Sequence, residues 1–509
     1  MHSLAILVFV LLISVTLLVT WWTSKKVKND KDYYAAGRQI KGWQNGLAIA
    51  GEFMAAAAFL GISGLIAFYG IDAQIYSIAW FASFFVVLIV VAEAIRNTGK
   101  YTFADIVAYR LDGSKIRPLI SITTLIVSLT YLIPQMVAAG ALSKLLFGIS
   151  AFWGIIIVGA LMVFYITFGG MLTATWIQMI KAALLLVGGY VLAILTLSHF
   201  NFSINEMFKA VAGAKDLGQS WLEPGGWLKN PLERYSLGFS LLFGTAAMPH
   251  VIMRFYTVPT KKQAQSSALW AMTFMAMFHI LTFIFGFGAA VLVGRQVIKS
   301  MDPAGNLATP LLAQAVAGGA GTLSGELFMA FIVSVAFITI IAAVSGLCIA
   351  ASSAFSYDFW FKIVKKGNQT PEEQLKTARW SAMGIGCLAI VLALALSKAN
   401  VAYLSGLAFG IAATVNLPTL LYSLYWKKLT TKGAIIGIVG GTIIAIASVL
   451  TGPQVLGKNA IFPLQNPGLI TIPIGFLLTY VASILTQDEH TGEKYIELSV
   501  RSQTGLGSE

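Results

Sequence analysis

Two ionisable side chains stand where the sequence offers them no water. Glu52 lies in Gly51-Glu52-Phe53-Met54-Ala55-Ala56-Ala57-Ala58 and Lys181 in Trp176-Ile177-Gln178-Met179-Ile180-Lys181-Ala182, each inside an apolar run long enough to cross a bilayer. A charge at the centre of a membrane helix costs roughly 2.5–3.5 kcal/mol on insertion scales, so each must face protein and find a partner. A pair between them is the economical arrangement. In it the lysine holds the carboxylate charged, and protonating the acid releases the lysine, which makes a proton switch. A static ion pair that fixes helix packing is the alternative. His250 follows Pro249 directly and Arg254 comes one helical turn later. Either can meet an anionic solute or gate an exit, and Arg254 has a second reading as a charge at the membrane rim.

The elements that must position these groups follow from composition. The chain has 509 residues, 57% hydrophobic and only 11% charged, with a mean hydropathy of +0.80. Soluble domains carry about twice that charge. Most of this chain must therefore sit in lipid, which excludes a cytosolic enzyme, a secreted domain and a nucleic-acid binder. Apolar runs of about 20 residues, the length that spans ~30 Å of hydrocarbon, number thirteen: roughly 4–22, 44–70, 73–95, 117–145, 151–168, 171–198, 235–258, 266–294, 324–357, 378–397, 400–425, 433–452 and 467–486. The expectation is an all-α polytopic membrane protein with one transmembrane domain over 1–486 and a flexible cytoplasmic tail at 487–509. The start Met1-His2-Ser3 has no positive n-region, so the first run reads as a retained helix rather than a signal peptide.

Two of these segments depart from plain helix grammar. The second holds Gly51, Gly61 and Gly64 among alanines, and the seventh reads Gly244-Thr245-Ala246-Ala247-Met248-Pro249-His250. Proline has no amide proton and clashes with the preceding turn, so the seventh should open at about 244–249. Freed backbone groups are tolerable in lipid only around a bound solute or ion, and interruptions in matching places of two halves point to an inverted-repeat transporter. The second to sixth segments (roughly 44–198) and the seventh to eleventh (roughly 235–425) form the repeats. Close helix packing is the competing use of such small residues.

The net charge of +13 reads as orientation. Assigning alternate loops by the thirteen-segment count puts most Lys and Arg on one side, in the loops around 25–41, 96–117, 254–262, 362–379 and 427–432 and in the tail. By the positive-inside rule the N-terminus is outside and the C-terminus inside. The long loops 199–234 and 295–323 fall outside, and Trp221, Trp227 and Pro224-Gly225-Gly226 suggest an interfacial cap. Sequence signatures of enzymes are missing: there is no HExxH, no Walker loop, no GxSxG and no His/Cys cluster with metal spacing. Cys348 and Cys387 sit in apolar runs. The reading is therefore a carrier, not an enzyme, with no cofactor, driven by an ion gradient.

Several ordered stretches resemble a known family. They are Asp32-Tyr33-Tyr34-Ala35-Ala36-Gly37-Arg38, Gly42 through Gly51, Tyr101-Thr102-Phe103-Ala104-Asp105, Phe168-Gly169-Gly170-Met171, Phe243-Gly244-Thr245, Met248-Pro249-His250, Met253-Arg254-Phe255 and Tyr425-Trp426-Lys427-Lys428-Leu429-Thr430. Over almost its whole length the chain resembles the sodium:solute symporters, most closely the bacterial acetate permease and monocarboxylate transporter branch. The resemblance implies a LeuT-like core of five plus five inverted helices in a bacterial cytoplasmic membrane. It also implies a sodium site between the second and ninth helices, with carbonyl ligands at Gly51, Met54 and Thr339 and a hydroxyl pair at the positions of Ala342 and Ala343. Two alanine methyls supply no ligand. Many sodium-coupled members have an aspartate at the position of Gln178, and Lys181 follows one turn on. In related proton-driven transporters a lysine can stand in for that sodium. The coupling ion is sodium or a proton, with Glu52 and Lys181 as the proton-coupling groups. A small carboxylate suits the positive half-helix ends, in a pocket of Ala57 and Ala58 with Phe59, Tyr131, Gln135 and Thr245 nearby. The alanines stand where a sugar carrier needs polar groups, leaving acetate, propionate, pyruvate or glycolate. The rival is a sodium-driven carrier of another small solute such as proline or pantothenate.

Overall fold

The computed structural model describes residues 2–25, 30–396, 400–487 and 492–506, so parts of the first basic linker and of the tail (26–29, 488–491 and 507–509) lie outside the described residues, as does 397–399. The described elements are helical, with no strand among them. Eleven helical stretches are long and apolar enough to cross a membrane. One of them, Ala57–Thr98, has 42 residues. A straight helix of that length would run about 63 Å, but this one, unlike the equally long Leu323–Val364, is divided by a positive-φ residue and makes two crossings. Gly70, at φ +70°, makes the turn. The chain from Ala151 also climbs as helix to Gly170, whose positive φ separates it from Gly170–Ser198. Thirteen crossings result.

They are α1 (His2–Ser24), α2 in two halves (Gly42–Phe53, then Ala57–Ile62 running on as Ser63–Tyr69), α3 (Ile75–Val86, extended by Ala92–Thr98) and α4 (Gly113–Phe147). Next come α5 and α6 on either side of Gly170 in Ala151–Ser198, α7 in two halves (Pro231–Gly244 and Pro249–Arg254), α8 (Lys261–Ala289, extended to Met301) and α9 (Leu323–Ser353, extended to Val364). The set ends with α10 (Pro371–Ala395), α11 (Val401–Tyr425), α12 (Thr431–Leu450) and α13 (Gly468–Leu485). Starts are capped as the sequence dictates. Asn230 accepts from Leu232 N ahead of Pro231, and Thr370 with Glu373 closes a capping box ahead of Pro371. Both satisfy amides that the first helical turn leaves unpaired.

Glycines let α11 lie against both broken helices. A Cβ on Gly61 would meet Ala402 N at 2.6 Å, and one on Gly244 would meet Phe409 O at 2.4 Å. Only a bare Cα allows backbones that close. The small residues therefore serve packing as well as the breaks. The predicted cap over loop 199–234 is built on Asp72, whose carboxylate accepts from Gly225 N, Trp227 N, Leu228 N and Arg234 Nη2, while Trp227 stacks on Tyr69 at 4.8 Å.

On the opposite, basic face the cations do more than meet water. Arg110 donates to Tyr422 O, Ser423 O and Trp426 O, carbonyls at the end of α11, where a positive charge also meets the helix dipole. Arg117 bridges Asp105 at 2.9 Å and Asp358 at 2.5 Å. Residues Glu493–Thr504 form a further helix, α14. Where the sequence suggested a flexible tail, this segment is docked: Leu498 is buried, Asn97 Nδ2 donates to Ser502 O and Arg501 Nε to Asn97 O. A polar sequence with one apolar stripe hides that outcome until its partner surface is known.

Candidate functional site

The two breaks come together in the middle of the bundle. In α2 the helix stops at Phe53 and resumes at Ala57, with Met54 at ψ +47°. In α7 Thr245–Ala247 tightens and Met248 turns extended, so Pro249 can begin a new helix where its missing amide costs nothing. Phe53, just before the first break, and His250, just after the second, lie with ring centroids 6.4 Å apart. Tyr131 of α4 stacks on His250 at 5.5 Å and meets Phe409 of α11 edge-on at 5.3 Å. Asn416 of α11 donates to Ala247 O at 3.1 Å, satisfying a carbonyl that the α7 break frees. The four helices thus close around one centre.

That centre concentrates polar atoms with no hydrogen-bond partner among the described residues. They include both ring nitrogens of His250, both amide atoms of Gln135, Glu52 Oε1, Arg254 Nη2, Gln178 Oε1 and Thr339 Oγ1. Gln135 stands one turn from Tyr131 and so shares its face of α4. Buried polar atoms are nearly always paired, so a cluster of orphans beside two interrupted helices is the candidate site.

The expected Glu52–Lys181 pair is corrected. Glu52 Oε2 instead accepts from Arg254 Nε at 2.9 Å, with both side chains almost fully buried. Arg254 Nη1 donates to Thr175 Oγ1 at 2.8 Å, and Asn45 Nδ2 holds the Arg254 carbonyl at 3.0 Å. A guanidinium can serve a carboxylate and a hydroxyl at once, which a single ammonium at Lys181 does less well. Arg254 is therefore a core residue, not a rim charge. Lys181, also buried, donates to Thr339 O at 3.0 Å. Gln178 Nε2, on the preceding turn, donates to Ala342 O at 2.9 Å. Gly51 completes this contact: its absent Cβ leaves room for Gln178 O, which would otherwise lie 2.6 Å away. Gly51, Gln178, Lys181, Thr339 and Ala342 thus meet where α2, α6 and α9 pack, and Met54 and Ala343 are buried on those same helices.

The remaining expected site residues divide. Ala57 and Ala58 are buried in the wide first turn after the α2 break. Thr245 spends its hydroxyl on Leu241 O. Phe59 packs edge-on against Phe285 and near Phe278 of α8, away from the His250–Tyr131 stack. Sequence reasoning missed Asn416, Thr175 and Gly346. Asn416 carried a signal, an amide two residues before Pro418 in an apolar helix. Thr175 and Gly346 carried none, because their roles appear only when α6 and α9 are packed on Glu52 and Arg254.

Two opposed broken helices around a buried polar centre, within five-plus-five repeats, define a multi-pass solute transporter of LeuT-like fold. The chain belongs to the sodium:solute symporter family, whose model matches residues 33–441. It is 43% identical over 518 residues, covering all of both chains, to the uncharacterized symporter YwcA of Bacillus subtilis (strain 168). Among solved structures it is similar to a Na+-coupled sialic acid symporter in a substrate-bound, outward-open state, with a TM-score of 0.77 at 18% identity over 95% of this chain and 98% of that one. It is also similar to Mhp1, a nucleobase-cation-symport-1 family transporter, in a closed conformation, with a TM-score of 0.55 at 15% identity over 92% and 99%.

Proposed function

We propose that this symporter takes up a short monocarboxylate, such as acetate, propionate, pyruvate or glycolate, together with a proton, by alternating access. The observation that carries the reading is the set of orphaned groups at the breaks, the His250 ring and the Gln135 amide, with the small Ala57 and Ala58 buried just past the α2 break. Such a centre suits a compact anion with little else to hydrogen-bond.

The cation side rests on Lys181. Its ammonium sits on Thr339 O, a carbonyl that the family resemblance assigns to sodium, and Ala342 and Ala343 bring no hydroxyl. Sodium needs several oxygen ligands, and a fixed positive charge on one of them repels it further. The basic face, carrying α14, is the cytoplasmic one on this reading, in a bacterial cytoplasmic membrane with the N-terminus outside. A sodium-driven carrier of proline, pantothenate or a similar solute is the second reading, favoured by the family and by the partnerless Thr339 Oγ1.

Proteoliposomes holding the purified protein separate the two. Saturable uptake of labelled pyruvate and acetate above protein-free vesicles, competed by propionate and glycolate but not by proline or pantothenate, supports the monocarboxylate reading. Competition by proline or pantothenate without uptake of the acids contradicts it.

A further inference from the structure

Beneath the orphaned donors, Arg254 and Glu52 form a pair that is only half used. Arg254 commits Nε to Glu52 and Nη1 to Thr175, leaving Nη2 without a partner. Glu52 commits Oε2 and leaves Oε1 without one. Both unused atoms lie toward Gly346 of α9: a Cβ there would stand 2.0 Å from Glu52 Oε1 and 3.7 Å from Arg254 Nη2. The glycine therefore opens a notch beside the pair on the helix opposite the α2 break. Arg254 closes the inner half of α7, on the basic-face side of His250.

A guanidinium fork is built to take a carboxylate through two parallel N–H donors. Here one donor faces Glu52 and a second is idle, so a solute carboxylate has a place to land beside Glu52 and a reason to replace it. A displaced Glu52 would be an uncompensated buried charge, which is costly, and taking up a proton removes that charge. The titratable and charged groups facing it are Arg254 and His250 from α7, Lys181 from α6 and Tyr131 from α4; each feels the Glu52 charge or is bonded to it. Lys181 is already held by Thr339 O, and Tyr131 is stacked on His250.

We propose that Arg254 is a second anion station on the transport path: the solute carboxylate moves inward from the breaks, displaces Glu52 from the guanidinium, and Glu52 takes up one proton as it is displaced. The charges balance. One ion pair, Arg254 with Glu52, is replaced by another, Arg254 with the solute, and the proton that neutralises Glu52 enters with the anion. When the solute leaves on the basic face, Glu52 returns to Arg254 and gives up its proton there. One proton thereby accompanies each anion. The inference rests on the monocarboxylate reading and assigns its proton to a particular group.

The test is calorimetry of pyruvate binding to the purified full-length protein, in buffers of different ionisation enthalpy near neutral pH. The expected result is uptake of about one proton per pyruvate bound. Glu52→Gln should bind pyruvate with retained or tighter affinity and take up none, Lys181→Met should still take up about one, and Arg254→Gln should lose binding at least tenfold. Pyruvate binding by the wild-type protein without proton uptake overturns the inference, whatever the variants do, and so does undiminished uptake in Glu52→Gln. Uptake abolished by Lys181→Met with binding intact also overturns it, by moving the proton to the lysine. If neither pyruvate nor acetate binds the wild-type protein, the monocarboxylate reading itself fails, a result distinct from binding without protons.

Discussion

The ammonium of Lys181 lies 3.0 Å from the carbonyl oxygen of Thr339, 158 residues away in sequence. A cation covalently tied to α6 thus occupies a backbone oxygen of α9, beside the two alanines Ala342 and Ala343. Remove the tether and supply hydroxyls, and the same place becomes chemically suited to a free cation. In the variant Lys181→Ala/Ala342→Ser/Ala343→Ser, initial solute uptake should become sodium-stimulated by at least severalfold, while the single Lys181→Ala should lose concentrative uptake. Both are read by radiolabel uptake in sodium and in choline media.

The Gly346 notch has a direct consequence. Gly346→Ala puts a methyl 2.0 Å from the present position of Glu52 Oε1, and the carboxylate must move off Arg254 to make room. That methyl also fills the notch 3.7 Å from Arg254 Nη2, where the solute carboxylate lands, so it should lower solute affinity roughly tenfold or more, with much less effect on thermal stability than Arg254→Ala. Binding isotherms and melting curves of the two variants in detergent check the contrast.

Asp358 anchors the inner end of α9 to α4 through Arg117, and Thr102 donates to the same carboxylate oxygen at 3.0 Å. Truncating one partner of a buried ion pair costs about 3–5 kcal/mol. Asp358→Ala should therefore lower Tm and loosen the basic face. Cys348, buried on α9, reports it: in a Cys387→Ser background, thiol reagents should modify Cys348 faster when Asp358 is absent.

The docked α14 gives a milder prediction. Leu498 is fully buried under it, and deleting such a side chain to alanine costs about 2–5 kcal/mol in well-packed sites. Leu498→Ala should release the helix to proteolysis while the transmembrane core keeps its melting transition. Limited trypsin digestion of intact protein, with Lys494 and Arg501 as the cleavage points, measures it.

Local chemistry made much of this molecule legible beforehand. Pro249 marked the α7 break, although Pro134 and Pro418 sit inside continuous helices, and length and apolarity mark eleven spans, with Gly70 and Gly170 dividing the rest. Lys181 and Glu52 announced themselves as charges where none belongs. Their partners did not, since Glu52 and Arg254 are 202 residues apart and only the packing of α2, α6, α7 and α9 decides which cation reaches which carboxylate. Gly346 looked like any membrane glycine until Glu52 was found against it. The α14 dock stayed hidden for a related reason: Asn97 and Arg501 are 404 residues apart.

On the proposed reading Lys181 fills the cation site between α2 and α9, and protons drive the carrier. Uptake of labelled pyruvate into proteoliposomes, with proton and sodium gradients imposed one at a time and protein-free vesicles as the baseline, tests it most directly. Concentrative uptake is expected under an inward proton gradient without sodium, and none under a sodium gradient at uniform pH. Sodium-driven accumulation at uniform pH, unchanged in Lys181→Ala, would contradict it.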